Sequence, residues 1–123
     1  MPAEWEPHKA TWLNWPHNPT DWLGKMLAVQ KVYAELVRKL AAVEEVCILV
    51  NSGNHEARAR KYLEQVQADL VNISFHHMST NRSWIRDYGP TFVSDNWTKR
   101  KSKRIIRFSF NGWARYPAHK KDN

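Results

Sequence analysis

With 123 residues, 42% of them hydrophobic and 25% charged, the chain has the size and balance of one globular domain, and its composition does not indicate disorder. Its longest apolar stretches, such as VCILV at 46–50, fall far short of the ~20 residues a membrane helix needs, and MPAEWEPHK at the start carries no signal-peptide core, so a cytoplasmic protein with no membrane partner is expected. The net charge of +7 does not describe the whole chain, because Lys99, Arg100, Lys101, Lys103, Arg104 and Arg107 sit in one stretch and the rest holds 13 basic against 12 acidic residues.

In chain order, residues 10–15 (ATWLNW) alternate as a strand does and stop at Pro16, after which HNPTDW reads as a linker. From 23 to 42, Leu23, Met26, Leu27, Val32, Tyr33, Leu36, Val37 and Leu40 recur at three- and four-residue intervals, which predicts one amphipathic helix. Residues 46–50 form a continuous apolar run between Glu44-Glu45 and Asn51-Ser52-Gly53, the pattern of a strand covered on both faces. The single cysteine, Cys47, lies in that run; it excludes an internal disulfide and reads as an inert small hydrophobe. A second helix is expected from an Asn54 cap, with Ala59, Tyr62, Leu63 and Val66 inward and Arg58, Arg60 and Lys61 toward water.

Residues 70–75 read as a strand with Val71, Ile73 and Phe75 on one face, followed by a loop HHMSTNRS. Adjacent residues on an extended chain point to opposite faces, so His76 and His77 are not expected to chelate one metal ion. TFVSD at 91–95 and RIIRFSF at 104–110 are two further strands, and the basic run between them is most simply a solvated hairpin turn; a phosphate-binding patch is the alternative. Asn111-Gly112-Trp113 is a turn signal. The ending AHKKDN offers nothing to cover the sheet that RIIRFSF extends, so an apolar edge is expected to be left exposed. The order is that of an α/β fold.

Seven tryptophans are the compositional anomaly, suited to packing at seams or to a pocket for a flat or cationic ligand. The segment TNRSWIRDYGP at 80–90 places an indole, a guanidinium and a carboxylate at Trp84, Arg86 and Asp87 and then restricts the chain with Gly89-Pro90. It is too polar for core and too aromatic for an idle loop, which points to a binding site; an Arg-Asp pair capping a strand beside a tight turn is the structural alternative.

Taken together, PAEWEPHKATWLNWPHN, WIRDYGPTFV and FNGWARYPAHKKDN resemble, in order and across the whole chain, the N-terminal third of the agmatine deiminase and bacterial-type peptidylarginine deiminase family. The resemblance implies a pentein-type α/β-propeller of five modules, of which residues 1–123 would supply the first module and part of the next. It implies hydrolysis of a guanidinium group by a cysteine nucleophile with a histidine acid-base, no cofactor, and a small cationic guanidino substrate. By the tryptophan-x-arginine-aspartate motif, Asp87 would bind the guanidinium and act catalytically, and Trp84 would line the substrate. Arg86 would hold Asp87 or the loop. Asp122 falls near a further acidic position of the family.

The family's nucleophile and histidine motif have no counterpart here, since Cys47 sits in the wrong context and none of His8, His17, His55, His76, His77 or His119 lies in that motif. The resemblance therefore implies a fragment, inactive alone, that expects the remainder of the propeller or a homo-oligomeric partner. Agmatine is favoured over peptidylarginine because a peptide backbone calls for an arginine clamp, and Arg115 is the one nearby candidate. A nucleic-acid-binding basic module, which would predict steeply salt-dependent binding, and a catalytically silent interaction protein are the readings from other classes.

Overall fold

The computed structural model describes residues 5–95 and 102–123. Three strands, β1 (Ala10–Asn14), β2 (Glu45–Val50) and β3 (Ile73–His77), form a parallel sheet in the order β1-β2-β3. The crossovers are two helices, α1 (Met26–Ala41) and α2 (Gly53–Gln65). Alternate residues of the central strand, Val46, Ile48 and Val50, meet Ala34, Val37 and Ala41 of α1 and Ala59 and Leu63 of α2 in one buried cluster closed by Trp15 and Ile73. Both helices therefore cover the same face of the sheet. On the other face Trp12 and His76 stack at 4.7 Å between ring centroids, flanking β2, whose Cys47 and Leu49 are also buried.

The α/β expectation holds, with instructive shifts. Helix α1 begins at Met26 rather than 23 because Asn18 folds the preceding segment into turns, its carboxamide oxygen accepting from the Thr20 N–H at 3.0 Å, and Gly24 adopts φ +67°. Its buried stripe keeps Val37 of the predicted residues, with Tyr33 and Leu40 packed beside it, and departs from the rest. Leu23, Leu27, Val32 and Leu36 are exposed, while Ala34, Val37 and Ala41 are buried. The packed face of α1 thus combines two alanines outside the apolar pattern with Val37 from it. Helix α2 is capped by Ser52, whose Oγ accepts from the His55 N–H at 3.3 Å, two residues before the expected Asn54.

The third strand is displaced too. Asp69 accepts from the Val71 N–H at 3.1 Å and curls Leu70–Asn72 into a 3-10 turn, leaving Val71 93% exposed. The strand runs instead through His76 and His77, which point to opposite faces as expected: His76 toward Trp12, His77 toward Glu56, whose Oε2 lies 2.7 Å from Nε2. Arg60, expected in water, lies over the Phe75 ring at 4.4 Å and pairs with Glu56.

Strands β4 (Thr91–Asp95) and β5 (Ser102–Ile106) pair antiparallel as a separate sheet, so the hairpin does not extend the parallel one. β5 ends at Ile106, short of the predicted 110. Lys99, Arg100 and Lys101 of the basic turn lie outside the described residues. The hairpin leaves Phe92, Ile105 and Phe108 exposed, an apolar surface of the kind the sequence predicts. The polar ending is not loose. Lys120–Asp122 form a 3-10 turn, Asp122 is buried, and the Asn123 carboxamide bonds both the N–H and the C=O of Phe110, at 2.7 and 3.0 Å.

Candidate functional site

Parallel strands bring their carboxyl ends to one edge, and the segment TNRSWIRDYGP lies across that edge. β1 delivers Asn14 and β2 leads directly into Asn51. The Asn14 amide nitrogen is 2.9 Å from Thr80 Oγ1, 3.0 Å from the Arg82 carbonyl and 2.5 Å from the Tyr88 hydroxyl. Asn51 treats Thr80 as a strand would, accepting from its N–H at 3.0 Å and donating to its C=O at 3.2 Å. Burial pushes the Tyr88 phenol up to about 12. Both ring nitrogens of His17 face carbonyl oxygens, those of Trp15 and Thr80, at 3.1 Å each.

The strongest anchor is Arg82, only 3% exposed. Its Nη1 pairs with Asp21 Oδ1 and reaches Thr20 Oγ1 at 3.3 Å, its Nε donates to the Ala118 carbonyl at 3.1 Å, and its guanidinium lies 4.5 Å from the centroid of the Tyr116 ring. Its backbone is held as well. Asp122 Oδ1 accepts from the N–H of Asn81 at 2.6 Å and of Arg82 at 3.1 Å, and Asn81 Oδ1 accepts from the Lys121 N–H at 2.8 Å. The loop is thus clamped between the linker before α1 and the last turn of the chain. Local sequence pattern singles out none of Asn14, Asp21, Asn51 and Arg82 for a role here, and gives Asp122 little weight.

On this base a single helical turn, α3 (Ile85–Tyr88), presents the predicted residues. Trp84 caps it, half-buried, its ring tilted against Trp22 at 5.2 Å. Arg86 and Asp87 are exposed, and the Asp87 N–H bonds back to the Trp84 carbonyl at 3.0 Å, which brings indole and carboxylate onto one turn. Gly89 closes it for a steric reason: a Cβ there would lie 2.4 Å from the Ile85 carbonyl oxygen. Arg115 is exposed, its guanidinium 5.5 Å from the Tyr116 ring centroid. Trp84 and Asp87 thus share one turn whose base is held by buried hydrogen bonds.

Behind the loop, His17 meets His55 edge-on at 5.4 Å. Burial, then the charges of His17 and Arg58, pulls His55 down to about 4. Between that value and the unperturbed ~6.5 the unfolded chain holds a proton that the folded one lacks, so this contribution to stability is full above about 6.5 and lost as pH falls toward about 4. We expect the unfolding free energy from urea denaturation to fall across that window, with a slope approaching about 1.4 kcal/mol per pH unit, and His55→Gln to flatten it. An unchanged slope in the variant would assign the proton elsewhere.

Comparison with known proteins gives this architecture its relatives. Agmatine deiminase of Pseudomonas aeruginosa is 37% identical over 114 residues, covering 92% of this chain and 28% of that protein, and agmatine deiminase of Ectopseudomonas mendocina is 35% identical over the same shares. The chain therefore spans under a third of the length of the curated relatives it matches. Among solved structures, the C. jejuni agmatine deiminase with substrate bound superposes with a TM-score of 0.74 at 21% identity, over 97% of this chain and 32% of that one, a likeness of fold. Residues 1–123, the whole of the sequence, match the family described as Porphyromonas-type peptidyl-arginine deiminase, and the chain belongs to that family.

Proposed function

We propose that this chain is the N-terminal part of a guanidine deiminase that hydrolyses agmatine to N-carbamoylputrescine and ammonia, a step of putrescine biosynthesis, and that it supplies the substrate-binding half of the site. The observation that carries the reading is the α3 turn, where Trp84 and Asp87 stand together on a clamped base. Asp87 would pair with the guanidinium, keeping it charged and fixed in plane, and the indole of Trp84 would wall the cation and the aliphatic arm. Arg86 would position the loop. A cysteine thiolate from outside these residues would attack the guanidinium carbon; ammonia leaves, and water then cleaves the carbon-sulfur bond of the thiouronium to give the ureido product and free thiol. These 123 residues contain no candidate for that nucleophile, because burial and Glu45 raise the thiol of Cys47, which lies on the sheet face away from the helices.

In this reading residues 1–123 form the first module and part of the next in a five-module α/β-propeller, and the exposed apolar residues of the hairpin meet the remainder. The free thiol suits a reducing, cytoplasmic setting. Within the described residues no helix is long and apolar enough to cross a membrane. Incubating the full-length enzyme with agmatine and, separately, with a peptidylarginine, and measuring ureido product, tests the substrate. Agmatine turnover is expected; turnover of peptidylarginine alone would replace this reading with a peptide-directed one and draw Arg115 into the site.

A further inference from the structure

The linker before α1 and the loop that carries Trp84 run side by side, joined at four places. His17 Nε2 lies 3.1 Å from the Thr80 carbonyl, and Asn18 Nδ2 donates to the Asn81 carbonyl at 2.9 Å. Arg82 Nη1 donates to Thr20 Oγ1 at 3.3 Å and pairs with Asp21, an ion pair whose two side chains are both buried. Leaving either buried charge unpaired is costly, so the pair holds closely and fixes the residues that follow it in each segment. On the linker the next residue is Trp22, and on the loop, two positions on, stands Trp84.

The two indoles meet at 5.2 Å between ring centroids with 36° between their planes. That is direct contact, inside the roughly 4.5–7 Å range of aromatic pairs, and it leaves no room for a planar ion between the rings. Trp22 therefore occupies one side of Trp84. Both residues are partly exposed. Trp22 Nε1 is buried without a hydrogen-bond partner among the described residues, so the ring is held by packing and by the pairing of Asp21, not by its N–H.

We propose that Trp22 is a positioning residue for Trp84: it backs one face of that indole and fixes its tilt, so that the other face is set to wall the arm and cation of a guanidino substrate. The substrate rests on the deiminase reading; the geometry does not. Trp22 itself stays out of contact with substrate, because Trp84 lies between. A ring already held by a second ring gives up less freedom when a ligand packs on it, which favours binding. The wall is present before and during reaction alike, so the benefit falls on KM and not on kcat. The segment HNPTDW, which reads as a linker, thereby becomes part of the site through one indole.

Two measurements on the full-length enzyme test this. The first needs no substrate: with isotope-labelled tryptophan, relaxation of the Trp84 indole N–H should show greater picosecond-to-nanosecond motion in Trp22→Leu and near wild-type order in Trp22→Phe. Unchanged order in Trp22→Leu would overturn the proposal whatever the substrate. The second is kinetic. Trp22→Leu is expected to raise KM for agmatine about tenfold with kcat within about twofold, Trp22→Phe to recover most of that loss, and Trp22→Leu to add little once Trp84→Ala has removed the ring it acts on. An unchanged KM, or full additivity of the two substitutions, would overturn the positioning role while wild-type turnover upholds the deiminase reading. Absence of wild-type turnover would sink that reading alone, and the order of Trp84 would then decide this one. Trp22 is partly exposed, so leucine there opens no sealed core and removes no hydrogen bond among the described residues.

Discussion

Asp87→Asn in the full-length enzyme is expected to lower agmatine turnover by about 10²–10³-fold, the scale for removing one preorganised electrostatic partner of a reacting group. The carboxylate is exposed on α3, so an amide of the same shape leaves the fold as it is, and an unchanged thermal midpoint serves as the control. On the proposed reading, what changes is the charge facing the substrate. A carboxylate accepts two hydrogen bonds from a guanidinium and stabilises its cationic form, whereas an amide accepts at one atom and turns an N–H₂ toward a cation. The loss should appear in kcat as well as KM if Asp87 also fixes the plane in which the thiolate approaches. Ordinary turnover in the variant would remove Asp87 from the site.

Arg82→Met carries the largest expected cost to stability, about 3–5 kcal/mol, because it leaves the buried Asp21 carboxylate without its partner. The guanidinium is also bonded to the Ala118 carbonyl and packed on Tyr116, so three segments lose their common point. Arg82→Lys keeps the charge but not the planar fork, and recovery should be partial. Removing both charges with Arg82→Met and Asp21→Leu together should return most of the loss, since a buried pair replaced by apolar residues is often near neutral. Urea midpoints measure all three. A single variant within about 0.5 kcal/mol of wild type would show that Arg82 does not anchor the loop.

The parts of this fold legible in the sequence are those that a short period reveals. The run at 46–50 reads as a buried strand because its neighbours are polar on both sides, and both helices follow from three- and four-residue spacing. Periodicity weighs large side chains most, which is why it favoured Leu27 and Leu36 over Ala34 and Ala41. At 70–72 the apolar pattern yields to a local competitor, the Asp69 carboxylate, which offers the backbone a turn instead of a strand. The turn bearing Trp84 and Asp87 stood out because its residue types are adjacent. Its support did not, because Asn14, Asp21, Asn51, Arg82 and Asp122 are polar residues whose burial depends on partners that local spacing does not encode.

Those distant partners also set the chain-entropy cost of the site. The bonds from Asn14 close separations of 66, 68 and 74 residues, and those from Asp122 close 40 and 41. Closure entropy grows only with the logarithm of loop length, so the span itself costs little more than a shorter one would, but each such bond is won only after the intervening chain has been ordered. The turn that presents Trp84 and Asp87 therefore rests on non-local contacts, dependent on β1, the linker before α1 and the final turn together.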